Sequence, residues 1–128
     1  MNKAIYEHYA ADAALVNALK NGLFEGEAPV GTEYPYGVFN VVKTSPQHKF
    51  GKLLLETHTI QFELYSESVT GEQVNSMFYA LKCAFDFAQI SSDDFKSIAI
   101  DRQRWHFSGT DGVWQCTVLY RIQAEVKK

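Results

Sequence analysis

Apolar residues near the start of the chain recur at steps of three and four. Ile5, Tyr9, Ala13, Val16 and Leu19 follow that spacing, with Glu7, His8, Asp12 and Asn17 between them, which predicts an amphipathic helix over residues 3–20. Asn21-Gly22 ends it, since glycine just past a helix takes the left-handed conformation without a Cβ clash. The piece LFEGEAP reads as a brief edge strand, and residues 36–43, YGVFNVVK, as a strand rich in β-branched and aromatic types. TSPQHKFGK, with Pro46 and Gly51, reads as a turn-rich connection. Residues 53–66, LLLETHTIQFELYS, predict a long strand. From His58 it alternates, with Ile60, Phe62 and Leu64 on one face and Thr59, Gln61 and Glu63 on the other.

The period then changes to helical. In SVTGEQVNSMFYALKCAFDFAQI, Val74, Met77, Phe78, Leu81 and Phe85 form one stripe, while Gln73, Ser76 and Lys82 lie away from it. Thr70 with Gln73 three residues on has the spacing of a capping box. The last part predicts a hairpin: residues 97–107, a turn SGTDG, and residues 113–126. Trp114, Cys116, Val118, Tyr120, Ile122, Ala124 and Val126 share one face of the final strand, so a one-residue slip would expose the whole apolar set. In the arm before it, Ile98 and Ile100 have the opposite parity from Trp105 and Phe107, which predicts a bulge near residues 101–103. Helix, strand, long strand, helix, strand, strand is an α+β order, expected as two layers: a mostly antiparallel sheet covered by helices.

With 128 residues, 46% hydrophobic, 14% aromatic and 21% charged, the whole chain, 1–128, is expected to be one domain with its own core. A net charge of −3 lacks the basic excess of a nucleic-acid binder. Cys83 and Cys116 fall on apolar faces of a helix and a strand, and read as buried free thiols suited to a reducing compartment. Their spacing alone does not decide against a disulfide. The first 22 residues carry charges throughout, unlike a secretory signal or membrane span, which suggests a soluble chain that is intracellular when made.

Chemistry is sparse. No serine or cysteine sits in a nucleophile signature, and GTEYPYG and GTDG match no phosphate-binding fingerprint. His8, His48, His58 and His106 lack partners at metal-ligand spacing, so no metal and no cofactor is expected. The acids of EGE and DD lie in turn-like stretches, where carboxylates are usually solvated or cap helices. One local feature stands out: Lys43, His48, Lys49 and Lys52 occur without an acid between them, beside Phe50 and the run Leu53, Leu54, Leu55. The plain reading is a soluble turn; the sharper one is a projecting arm whose apolar residues need cover by an acidic neighbour or nucleic acid.

Several stretches in this order resemble one family. The first helix holds ADAALVNAL, a short link carries Ala28-Pro29, PYGVF opens a strand, and Phe62 to Ser66, FELYS, leads towards the second helix. This pattern, over essentially the whole chain, is similar to the tail-completion or tail-terminator proteins of long-tailed bacteriophages and prophages. The resemblance implies a non-enzymatic virion protein, made in the bacterial host cytoplasm and residing in the tail or neck. Such proteins form rings, often hexameric, that cap the tail tube and meet the head connector. No catalytic residues carry over. The implied partners are other copies of the chain, the tail tube protein and head-connector proteins, with DNA passing through ungripped and no membrane. Candidate assembly contacts are Lys43, His48, Lys49, Phe50, Lys52, Leu53, Leu55 and Tyr65. Pro29, Pro35 and nearby glycines would fix a rigid loop, which makes contacts at lower ordering cost.

A different reading is a small-ligand binding or hydrolytic domain whose pocket is lined by Trp105, Trp114, Tyr120 and His58. The same aromatics are more simply explained as core, since large aromatics dominate core burial. A discrete oligomer would favour assembly, and a monomer with a deep pocket the ligand reading.

Overall fold

The computed structural model describes residues 1–50, 53–68, 70–92 and 95–126, with the side chains of 46–50, 53–54 and 97–98 outside that description. In chain order the elements are α1 (Asn2–Ala10), α2 (Ala13–Ala18), β1 (Leu23–Glu25), β2 (Tyr36–Phe50), β3 (Leu53–Glu67), α3 (Glu72–Phe85), β4 (Phe95–Thr110) and β5 (Val113–Val126). The strands form one five-stranded sheet in the order β1-β2-β3-β5-β4. Only the β1–β2 pair is parallel; the rest are antiparallel.

The expected first helix is two helices. Asp12 adopts an extended conformation and its side chain accepts a hydrogen bond from the Leu15 N–H at 3.0 Å, so it starts α2 as an N-cap instead of continuing α1. The break rotates the buried face: Leu15 and Leu19 enter the core, while Ala13 and Val16 stay exposed. The capping box at α3 also fails. Gly71 is the N-cap without a side-chain bond, Thr70 Oγ1 accepts from Glu72 N, and the Gln73 carbonyl accepts from Ser66 Oγ at 2.5 Å. The α3 stripe itself is as read, with Val74, Met77, Leu81 and Phe85 buried and Phe78 at its rim.

The connection expected at residues 44–52 is largely strand, because β2 runs on to Phe50 through irregularities between Val41 and Lys43 and between Pro46 and Lys49. Pro46 pairs opposite Glu56 there, where β1, which pairs only with residues 37–39, no longer flanks β2. A proline without N–H is tolerated on such an edge. The closing hairpin is tighter than expected: Asp111 and Gly112, at φ 53° and 80°, make a two-residue turn of the primed type that matches strand twist. The bulge falls between Arg102 and Arg104, as the parity change required, and a second lies between Ser97 and Ala99.

The core sits on one face. Phe39 of β2, Ile60, Phe62 and Leu64 of β3, and Cys116, Val118, Tyr120 and Ile122 of β5 are buried there with Ile5, Leu15 and Leu19 and the α3 stripe. Phe62 packs on Phe85 at 5.0 Å between ring centroids and meets Tyr120 edge-on at 5.9 Å. Strand makes up 49% of the chain in a sheet curled like a half-barrel, so the sheet is the body of the fold and the few helices gather mainly over β3, β5 and β1. No helix among the described residues is long and apolar enough to cross a membrane.

Candidate assembly surfaces

Strand register sorts the predicted contact residues. Lys43 is exposed and pairs opposite Thr59; Lys49 pairs with Leu54 and Phe50 with Leu53 at the far end of the β2–β3 hairpin. His48 lies in the same strand, Leu55 is half-buried opposite Glu125, and Lys52 lies outside the described residues. Among the described residues, the β5 register on β3 begins at Leu55, so the two terminal hairpin pairs extend past it. Tyr65 is at the other end of β3, opposite Tyr36. Lys49, Phe50 and Leu53 therefore lie at the hairpin's far end, Lys43 and Leu55 further back in the ladder, and Tyr65 at a separate position, so the described ones do not make one patch.

Tyr65 belongs to a ladder on the helix-free face. Tyr36 stacks between Tyr34 (5.5 Å, 29°) and Tyr65 (5.1 Å, 28°), and the Tyr65 hydroxyl donates to Glu63 Oε2 at 2.6 Å. Burial and the Glu63 carboxylate raise the Tyr65 pKa, so it remains a neutral donor. Residues 26–32 run past this ladder, lining an open groove with Tyr36, Val38, Glu63 and Tyr65. Gly26 N–H donates to Phe39 O at 3.0 Å, and Asn21 donates from its side chain to Tyr34 O at 2.9 Å, tying the loop to the sheet at both ends. Thr32 N–H donates to Pro29 O at 3.1 Å, and Thr32 Oγ1 donates to the same carbonyl at 2.6 Å. With Gly31 at φ 88°, this is the geometry of a type II turn, whose third position favours glycine.

A second surface escaped the sequence reading. Arg102 of β4 lies 4.2 Å from the Trp105 ring centroid and 5.3 Å from that of Phe78, and these two rings are themselves near-parallel at 6.1 Å. Arg102 Nη2 also meets Asp86 Oδ2 at 3.5 Å, while Tyr120 donates its hydroxyl to Asp86 Oδ1 at 2.6 Å. Burial, then Asp86, pushes the Tyr120 pKa upward. Asp86 caps α3, and Phe87 after it takes a positive φ of 60° with its side chain 86% exposed. The available signal was an arginine with the parity of the buried Ile100 on an apolar strand, and the bulge at Gln103 then turns Trp105 to that same face.

The four residues proposed for a ligand pocket do not converge. Tyr120 and His58 are buried in the sheet, Trp105 is at the β4 edge, and Trp114 lines a different open groove with residues 109–112. His58 has local partners: Thr44 Oγ1 at 3.1 Å from Nδ1 and Glu56 Oε2 at 3.2 Å from Nε2. Burial lowers its pKa despite the carboxylate. Cys83, expected in the core, is exposed; Cys116 is buried, which pushes its thiol up to about 12, and both are free. Among the described residues, no three His, Cys, Asp or Glu side chains are grouped as metal ligands.

The curled sheet thus exposes an aromatic ladder, a pinned loop and open grooves, and the family match places the chain in the class of structural virion proteins. Residues 3–125 match the family model for tail completion protein gp17, and the chain belongs to that family of structural phage tail proteins, whose place is the tail of a virion. The fold superposes on a chain described as part of the virion of a native gene transfer agent particle. That match has a TM-score of 0.83 at 12% identity, covering 98% of this chain and 94% of that one. A second solved chain is similar at TM-score 0.58 and 10% identity, over 100% of this chain and 96% of that one. No curated protein matches it in sequence.

Proposed function

We propose that the chain is a ring-forming subunit that caps the tail tube and joins it to the head, contacting other copies of itself, the tube protein and the head connector. The observation that supports this most is the match over residues 3–125 to a tail completion family, on a fold whose helix-free face offers contact surfaces. The likeness at TM-score 0.83 to a chain of a gene transfer agent virion points to the same kind of assembly. Residues 1–128 act as one folded unit. Lys43, His48, Lys49, Phe50, Lys52, Leu53 and Leu55 contact a neighbouring protein, and Tyr65 lies at a second contact. With a net charge of −3 the subunit lets DNA pass without holding it.

The test is Lys49→Glu combined with Lys52→Glu in the phage or particle that carries the chain. Tail joining is expected to fail while far-ultraviolet circular dichroism of the purified variant stays unchanged. Normal, joined tails would remove the hairpin tip from the contact surface.

A further inference from the structure

The turn at residues 29–32 and a groove along β4 lie at opposite edges of one sheet and carry side chains of opposite charge. Val30 is the apex of the turn and is fully exposed, at 106% of the reference accessibility. The bonds from Thr32 to Pro29 O hold it in place, and Glu27 and Glu33, both exposed, flank it. A single exposed valine is ordinary, but one held rigidly between two acids has the form of a knob.

The groove has the opposite character. About 480 Å³ in volume, it is lined by Gln103, Arg104, Trp105, His106, Thr117 and Leu119. Leu119 gives it an apolar floor, with Arg104 and His106 beside it on the same face, while Trp105, 48% exposed, borders it at the β4 edge with its side chain turned to the helix side against Arg102 and Phe78. Among the described residues, β4 has no strand on its outer side within the sheet. Strand register puts knob and groove on the same face. Tyr36 and Val38, beneath the loop, pair with Tyr65 and Glu63; Glu63 pairs with Thr117, Gln61 with Leu119, and these pair with His106 and Arg104. All have the parity opposite to the buried Phe62 and Val118.

We propose that residues 27–33 of one copy seat in the β4 groove of the next, with Val30 against Leu119 and with Glu27 and Glu33 beside Arg104 and His106. This rests on the ring reading above and names its interface. Knob and groove are different surfaces, so the contact is head-to-tail and each added copy presents a fresh knob, an arrangement that gives a ring when the rotation per copy closes.

Disulfide trapping on the full chain tests it. Val30→Cys and Gln103→Cys are made in separate proteins, each also carrying Cys83→Ser, mixed and oxidised mildly. The mixed Val30→Cys to Gln103→Cys dimer is expected to outrun either self-pairing by about tenfold, since only that pair is held together in the complex. Glu27→Lys with Glu33→Lys is expected to weaken self-association about tenfold, and adding Arg104→Glu to restore it. Light scattering separates failure of the inference from failure of the ring reading. If the native chain self-associates but neither cross-link nor charge reversal responds, the interface lies elsewhere and this inference falls alone. If the native chain shows no self-association at any concentration, alone or with tail tubes, both fall.

Discussion

At the scale of the residue, His58 is the clearest titrating group. Its imidazole is buried between Thr44 and Glu56 near the Phe95 ring, and burial holds its pKa below 6.5. A histidine with a depressed folded pKa stabilises the fold above its unfolded pKa, and that contribution is lost as pH falls from about 6.5 through the folded value. The urea midpoint is therefore expected to drop between pH 7 and pH 5, and to drop less in His58→Gln; equal slopes for both proteins would contradict this. The cysteines give a second residue-level check. Cys83 is expected to react with a maleimide at pH 7 in the native protein, and Cys116, buried with its thiol pushed up to about 12, only after unfolding. Labelling of both at equal rates would contradict the burial. Residue by residue, the sequence was a poor guide to exposure near an element's rim. Cys83 was read onto the apolar face of its helix and Val16 onto the stripe of the first, yet their exposure depends on packing against β3 and on the Asp12 cap, which spacing alone cannot fix.

At the scale of the element, the strands with one buried face were legible almost residue for residue. β5 alternates from Cys116 to Ala124 because a slip would turn five buried side chains outward, and β3 is fixed the same way. The bulge in β4 was readable from the conflict between Ile100 and Trp105. The far half of β2 was not, because Pro46 and Lys49 have the composition of a turn and become strand only through pairing with β3. Local signals fail where tertiary pairing overrides them. Gly37 shows the same dependence: it is set close under the helices, and a Cβ there would lie 3.1 Å from Leu23 Cδ1 and 3.2 Å from both Leu19 Cδ1 and Leu64 Cδ2. Gly37→Val is expected to cost about 1–3 kcal/mol in chemical denaturation through overpacking. An unchanged midpoint would mean that β1 and α2 can move aside freely.

At the scale of the whole molecule, contact surfaces divide along the sheet. One face is filled by the helices and core; the other presents the tyrosine ladder, the pinned loop and the β4 groove. The family was legible from ordered motifs along the chain, whereas the groove and the Arg102 stack were not, because they join residues far apart in sequence through the bulge. The hairpin tip was legible only as a run of charge. What unites these surfaces is the claim that the chain functions by joining copies of itself at the end of a tail tube. Electron microscopy of tail tubes assembled with and without the chain measures that directly. The account predicts tubes of uniform length ending in a closed ring of density when the chain is present, and open, overlong tubes when it is absent. Tubes of the same length distribution in both samples, with no added density at either end, would contradict it.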